Sequence, residues 1–195
     1  LVAVFVKVFD EACGYYGKQA YIAQFERDLD KDGLFNKFKN EFKSASGQQW
    51  EFGRERANRF SNEIDKAYNK VTGQNVENII DKQRADYHLS IEDFANQVKE
   101  YIDKQEPNFR LNFFVDEVGQ FIANNEKLMV NLQTVAESLA TKCKGKSWVI
   151  VTAQNDMSKV LGSMENKLNS NDYTKIQDRF KIKLDLTSAA VAEVI

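Results

Sequence analysis

A single proline, Pro107, two cysteines, Cys13 and Cys143, and one histidine, His88, are all that 195 residues hold of those types. Each scarcity excludes something. Two distant cysteines make neither a disulfide framework nor a zinc motif, and they suit a reducing, cytoplasmic compartment. The lone histidine in "ADYHLS" reads as a helix-end residue rather than a metal ligand. Formal net charge is only −2, so no overall field draws the chain toward nucleic acid or an anionic membrane surface. Apolar runs are short, and no stretch reads as a membrane span or a signal peptide. Internal repeats and low-complexity segments are also lacking. What the chain does have is apolar content, 43%, enough for a sizeable core. It starts on Leu1, and its end, "SAAVAEVI", reads as a helix cut in mid-course, so the expectation is a piece of something longer.

Pro107 divides the text. Before it, apolar residues recur at helical spacing. Leu1, Val4, Phe5, Val8, Phe9 and Ala12 fit a helix, although Val2, Val4, Val6 and Val8 also alternate as in a strand. Ile22, Phe25 and Leu29 form one stripe, and Leu34, Phe35, Phe38 and Phe42 another. Ala57, Phe60, Ile64, Ala67 and Val71 give the cleanest three-four pattern. Ser90 with Asp93 reads as a capping box opening a helix that buries Ile91, Phe94, Val98 and Ile102 and that Pro107 ends. Trp50 and Trp148 read most simply as core residues.

After Pro107 the texture changes. Residues 110–115, "RLNFFV", read as a strand buried on both faces. A long helix follows, with Leu128, Leu132, Val135, Ala136 and Leu139 on one side and "KGK" at its end, where positive charge suits the dipole. "SWVIVTAQ" reads as a second buried strand. "DMSKVLGSMENKL" and "YTKIQDRF" read as helical, and "KIKLDL" as a third strand. Strand and helix in alternation imply a helix-rich α/β fold with a parallel sheet.

Three motifs fail on physical grounds. "DLDKDG", residues 28–33, opens like a calcium loop, but its twelfth position is Lys39, where a bidentate glutamate belongs. A solvated helix connection with Gly33 as turn residue is the plainer reading. "ATKCKGKS", residues 140–147, ends a helix and opens a strand, the reverse of a phosphate loop. "ACGYYGKQ", residues 12–19, has Gln19 where a Mg²⁺-ligating hydroxyl should stand, and two tyrosines crowd the loop. A helix end at Gly14 is preferred there, with a phosphate loop as the lesser alternative.

The chemistry-bearing pair is Asp116-Glu117, directly after the first strand. Nucleoside triphosphatases put such a pair at the end of a buried strand so that the Asp holds Mg²⁺ and the Glu polarises the attacking water. A core strand leaving for solvent can also end in acids. The second strand runs into Thr152, Gln154 and Asn155, and the two amides can face the same crevice or cap the next helix. Asn155 lies 39 residues beyond Asp116, and Arg179 a further 24. Arg179 can reach a neighbour's nucleotide, or pair with Asp178 on the surface.

"LNFFVDE", "WVIVTAQN" and "DRFKIKLDL" resemble the Walker B, sensor 1 and arginine-finger segments of the AAA+ ATPases. "LTSAAVAEVI" looks like the start of their helical lid. More narrowly, "FVKVFDEACGYYGKQAYIAQFERDLDKDGLFNKFKNEF", "FFVDEVGQFI" and "IQDRFKIKLDLTSAAVAEVI" resemble the BrxC family of P-loop ATPases of bacterial BREX phage-defence systems, over most of the chain. The resemblance implies a partial P-loop NTPase (AAA+-like) parallel sheet with a large helical insertion: residues 1–106 as the insertion, 107–187 as part of the core, 188–195 as the start of the lid. It implies ATP and Mg²⁺ as cofactors. Asp116 would hold the metal through water, Glu117 would be the general base, Asn155 or Gln154 the sensor that also touches nucleotide, and Arg179 the finger acting in trans. No credible Walker A is present, and the family would place it before residue 1. The 195 residues alone are therefore expected to be inactive. Implied partners are further copies of the full-length protein, other defence proteins and, indirectly, DNA, with no membrane. A third strand lacking the phosphate-loop strand beside it is expected to pack poorly or shift. The competing expectation is a helical protein-interaction module, its working surface in residues 20–105 and its acid pair a mere strand end.

Overall fold

A computed structural model describes residues 1–117 and 126–152, together with Ile182 and Leu184. The chain divides into two compact units, Leu1–Phe94 and Ala95–Ile195.

The first unit is helical. α1 spans Val2–Ala12, α2 Ala20–Lys31, α3 Phe35–Ser46, α4 Trp50–Gly53, α5 Ser61–Thr72 and α6 Ile79–Asp86, and α7, Ile91–Asp103, opens within it. Burial settles the ambiguity at the start. Phe5, Val6, Phe9 and Asp10 are inside while Val4 and Val8 are exposed, which is helical periodicity and not alternation. Phe5 and Phe9 meet the edge of Phe94 at centroid distances of 6.3 and 5.8 Å. α1 ends before Gly14, whose φ of 87° lets the Tyr15 N–H return to the Asp10 carbonyl at 2.8 Å. No strand precedes this glycine turn, so the phosphate-loop alternative at residues 12–19 is ruled out. The calcium reading fails too. Asp28 and Asp30 lie inside α2, where Asp28 accepts from Gln24 at 2.7 Å and Asp30 from the Tyr15 hydroxyl at 2.8 Å.

The core of this unit is aromatic. Trp50 is almost wholly buried, with Phe38 and Phe42 edge-on to it at 4.9 and 5.2 Å and Phe25 against Phe38 at 5.2 Å. The stripe Ala57–Val71 is not one helix. A 3₁₀ segment, Arg54–Phe60, with non-helical Arg56, precedes α5, and Ala57, Ile64 and Ala67 still reach the core. Gly53, at the junction, is pressed so close to the Phe42 ring that a Cβ would overlap it. Gly53→Ala is therefore expected to destabilise the unit by about 1–3 kcal/mol through overpacking, read as a lower denaturant midpoint at unchanged slope. An unchanged midpoint would mean that Phe42 gives way freely.

Polar groups set two boundaries. The Asp65 carboxylate accepts the Asn78 and Ile79 N–H groups at 2.6 and 3.0 Å, so a neighbouring helix caps α6. Ser90 and Asp93 form the expected reciprocal box, Asp93 N–H to Ser90 Oγ at 3.0 Å and Ser90 N–H to Asp93 Oδ2 at 3.1 Å. The Ser90 hydroxyl also donates to Asp93 Oδ2 at 2.6 Å, and this bond, with that from the Ser90 N–H, holds the Asp93 carboxyl below its ordinary range. His88 is exposed in the link between α6 and α7. α7 ends at Asp103, a few residues before Pro107.

The second unit carries the sheet. β1, Leu111–Val115, pairs in parallel with β2, Ser147–Val151, Leu111 opposite Ser147 and Val115 opposite Val151. α8, Glu126–Cys143, connects them, packs on β2, and buries Leu132, Val135, Leu139 and Cys143. The helix-to-strand turn follows at Lys144 and Gly145, both at positive φ, so residues 140–147 end a helix and open a strand as read. The observed architecture is thus helix-rich α/β with a small parallel sheet. The expectation of strands buried on both faces is corrected. Phe114 is 75% exposed, and Trp148 and Ile150 share its face and are also exposed. The other face carries Phe113, which is buried. Trp148 is accordingly not a core residue, unlike Trp50. The expected third strand, "KIKLDL", lies outside the described residues except for Ile182 and Leu184, which are exposed and belong to no element.

Candidate functional site

The parallel register decides what meets at the C-terminal edge of the sheet. Val115 and Val151 are partners, so the next residue on each strand, Asp116 and Thr152, leave side by side. The Thr152 N–H donates to the Val115 carbonyl at 3.0 Å and extends the ladder one step past the strands. The Thr152 hydroxyl then donates to Asp116 Oδ1. The same hydroxyl oxygen accepts the Glu117 N–H at 3.1 Å, and Asp116 Oδ1 accepts that N–H too, at 3.0 Å.

This small network turns the chain. Glu117 sits at φ 52°, the left-handed region, where a residue with a Cβ is disfavoured by about 1–2 kcal/mol. The two acceptors on its N–H offset that cost. Asp116, Glu117 and Thr152 are all exposed at the rim. Sparsely populated backbone conformations held by surrounding bonds occur preferentially where side chains must be aimed. The C-terminal edge of parallel strands is also where open α/β sheets take ligands.

Both hydrogen bonds that Asp116 accepts among the described residues fall on Oδ1. Among the described residues Oδ2 accepts no hydrogen bond and can turn to a cation or its water. Mg²⁺ needs only one or two carboxylates, because it keeps several waters and takes the rest of its shell from substrate phosphates. The donor set here fits that mode. Among the described residues no group of three or more His, Cys, Asp or Glu gathers as a metal site.

Of the residues singled out by sequence, the structure brings Asp116 and Glu117 to one rim beside the end of β2. Gln154, Asn155 and Arg179 lie outside the described residues. Thr152 was read only as a strand end, yet it is the residue that ties the two strand ends together. The signal was present in the text. Thr152 stands as far beyond "SWVIV" as Asp116 stands beyond "LNFFV", and a parallel pair in register makes equal offsets adjacent.

A second set of buried polar groups lies in the helical unit and was not anticipated. Glu26 is fully buried and accepts the Tyr16 N–H at 2.7 Å, Trp50 Nε1 at 2.6 Å and Arg54 Nη1 at 3.1 Å. Burial pushes its carboxyl up from the ordinary range, and these donors pull the other way. Arg27 pairs with buried Asp10 and lies over the rings of Tyr15 and Phe9 at 4.7 and 5.2 Å. Burial likewise raises the Asp10 carboxyl and the Cys13 thiol, and moves the Tyr15 hydroxyl in the same direction. A raised thiol carries less of the nucleophilic thiolate. Every donor to Glu26 comes from the framework of the unit itself, so this network is structural.

No family model matches the chain, and no solved structure matches it.

Proposed function

We propose that the chain is part of an ATPase of the AAA+ type, with the acid pair after β1 as its Mg²⁺ and water-activating residues, and that the longer protein serves bacterial phage defence of the BREX kind. One observation supports the chemistry more than any other. Two parallel strands in register bring Asp116, Glu117 and the chain end leading to Asn155 to a common rim. A strand that merely exits to solvent has no need of a bonded turn that fixes the Asp116 carboxylate and the Glu117 backbone. The defence role rests on sequence resemblance alone.

In this reading Asp116 would hold Mg²⁺, which would draw off charge from the phosphates. ATP with Mg²⁺ supplies the phosphoryl group to be transferred. Glu117 takes a proton from the attacking water, so it must be ionised and placed beside the terminal phosphate. Asn155, with Gln154 as the alternative, orients that water. Arg179 of a neighbouring copy neutralises charge that develops on the transferred group. The lysine and hydroxyl of a phosphate loop are contributed by chain outside these 195 residues, and hydrolysis belongs to the oligomeric full-length protein.

The test is Mg²⁺-dependent ATP hydrolysis by a full-length version. Asp116→Ala is expected to bring it to background without altering the thermal midpoint by more than a few degrees. In mixed oligomers, Arg179→Ala is expected to silence the site of the adjoining subunit rather than its own. Full activity in Asp116→Ala would refute the assignment and favour a purely interactive role for the helices.

A further inference from the structure

The rim network carries a role for Thr152 that neither its residue type nor the acid pair reveals alone. Its hydroxyl is used twice. It donates its proton to Asp116 Oδ1 and accepts the Glu117 N–H at 3.1 Å. Both acids are thereby tied to β2, the strand that leads on to Asn155. A serine can make the same two bonds, and a valine, nearly isosteric with threonine, can make neither.

We propose that Thr152 is a positioning residue. It fixes the Asp116 carboxylate through Oδ1 so that Oδ2 faces the metal, and it holds Glu117 in the left-handed turn that aims its side chain. The inference rests on the ATPase reading above. Three observations carry it. Asp116 takes both of its described hydrogen bonds on one oxygen, so that among the described residues its loading is one-sided. Glu117 has no glycine's freedom at φ 52°, so its backbone stays there only while its N–H is satisfied. Finally, Thr152 is exposed and its hydroxyl adds nothing to the buried face of the sheet, so packing gives no reason for it.

Partners that orient a metal-binding carboxylate typically change metal affinity or activity 10–100-fold when removed. Thr152→Val in the full-length protein is therefore expected to raise the Mg²⁺ concentration for half-maximal ATP hydrolysis by about tenfold or more. The rate at saturating Mg²⁺ should fall as well, because the Glu117 turn loosens. Thr152→Ser should lie close to the parent in both. Neither variant should move the thermal midpoint by more than a few degrees, since the lost bonds are at an exposed rim.

The outcomes separate cleanly. A Mg²⁺ requirement that shifts in the valine variant and returns in the serine variant supports the role. An active parent whose Mg²⁺ dependence is the same in all three proteins overturns it and leaves the ATPase reading intact. A serine variant as impaired as the valine variant also overturns it, because then shape and not the hydroxyl matters. A parent with no Mg²⁺-dependent hydrolysis, or one indifferent to Asp116→Ala, overturns the ATPase reading and this inference with it.

Discussion

Glu117→Gln is expected to leave ATP binding by the full-length protein intact and to lower turnover by about 10²–10⁴-fold, the usual contribution of a positioned general base. The geometry makes this substitution unusually clean. The two hydrogen bonds that Glu117 makes among the described residues both use its backbone N–H, not its carboxylate. The left-handed turn at φ 52° therefore survives the change, and so does the link from Asp116 to Thr152. Glutamine keeps the length and polarity of the side chain and removes only its ability to take a proton. Nucleotide affinity measured by equilibrium titration, beside steady-state and single-turnover hydrolysis, separates the two effects. Undiminished turnover would exclude Glu117 as the base. Loss of binding in step with turnover would mean that its charge serves nucleotide capture instead.

The second large effect is on stability. Glu26→Ala is expected to destabilise the helical unit by about 1–3 kcal/mol for each buried donor left without its acceptor. Glu26 is the common acceptor of three donors on three segments: the Tyr16 N–H after α1, Trp50 Nε1 on α4 and Arg54 on the 3₁₀ segment. Alanine leaves all three without that partner and opens a cavity beside Trp50, which is 1% exposed. Glutamine is the sharper control. Its Oε1 can accept from Trp50 and Arg54, but its NH₂ then faces the Tyr16 N–H, donor against donor, at a cost of about 1–3 kcal/mol.

The pH dependence follows from the direction of the shift. Burial raises the Glu26 carboxyl above its ordinary range. The folded state therefore keeps this proton to higher pH than the unfolded chain does. The group's contribution is fully present below about pH 4.5 and is lost as pH rises through the folded value. The stability difference between the parent and Glu26→Gln should shrink as pH is raised across that window in denaturant titrations. A difference that grows with pH would show that the three donors outweigh burial.

Helix content was legible before any coordinates, because burial at three-four spacing is a local property of the chain. Ile22, Phe25 and Leu29 are inside α2, and Leu132, Val135 and Leu139 are inside α8. The capping box at Ser90 was legible for the same reason, since its bonds join residues three apart. Misreadings fell where the deciding partner is distant in sequence. The stripe from Ala57 to Val71 hides a 3₁₀ start, set beside the ring of Phe42 on another helix. "LNFFV" and "SWVIV" read as buried on both faces, whereas cover depends on what lies above and below a strand, and Phe114, Trp148 and Ile150 are open.

The sequence by itself determined the strand, helix and strand between Leu111 and Val151, most of the helical stripes before Pro107, and the position of two acids at a strand end. Those are patterns of nearest neighbours, and a period of two or of 3.6 writes them directly into the text. Only the tertiary structure decided the register that sets Val115 opposite Val151, that Thr152 thereby meets Asp116 and Glu117, and that Glu26 is buried among three donors in the helical unit. Strand register and the burial of a charge both depend on groups dozens of residues apart. Their energies arise from desolvation and hydrogen-bond geometry, which no local run of residues encodes.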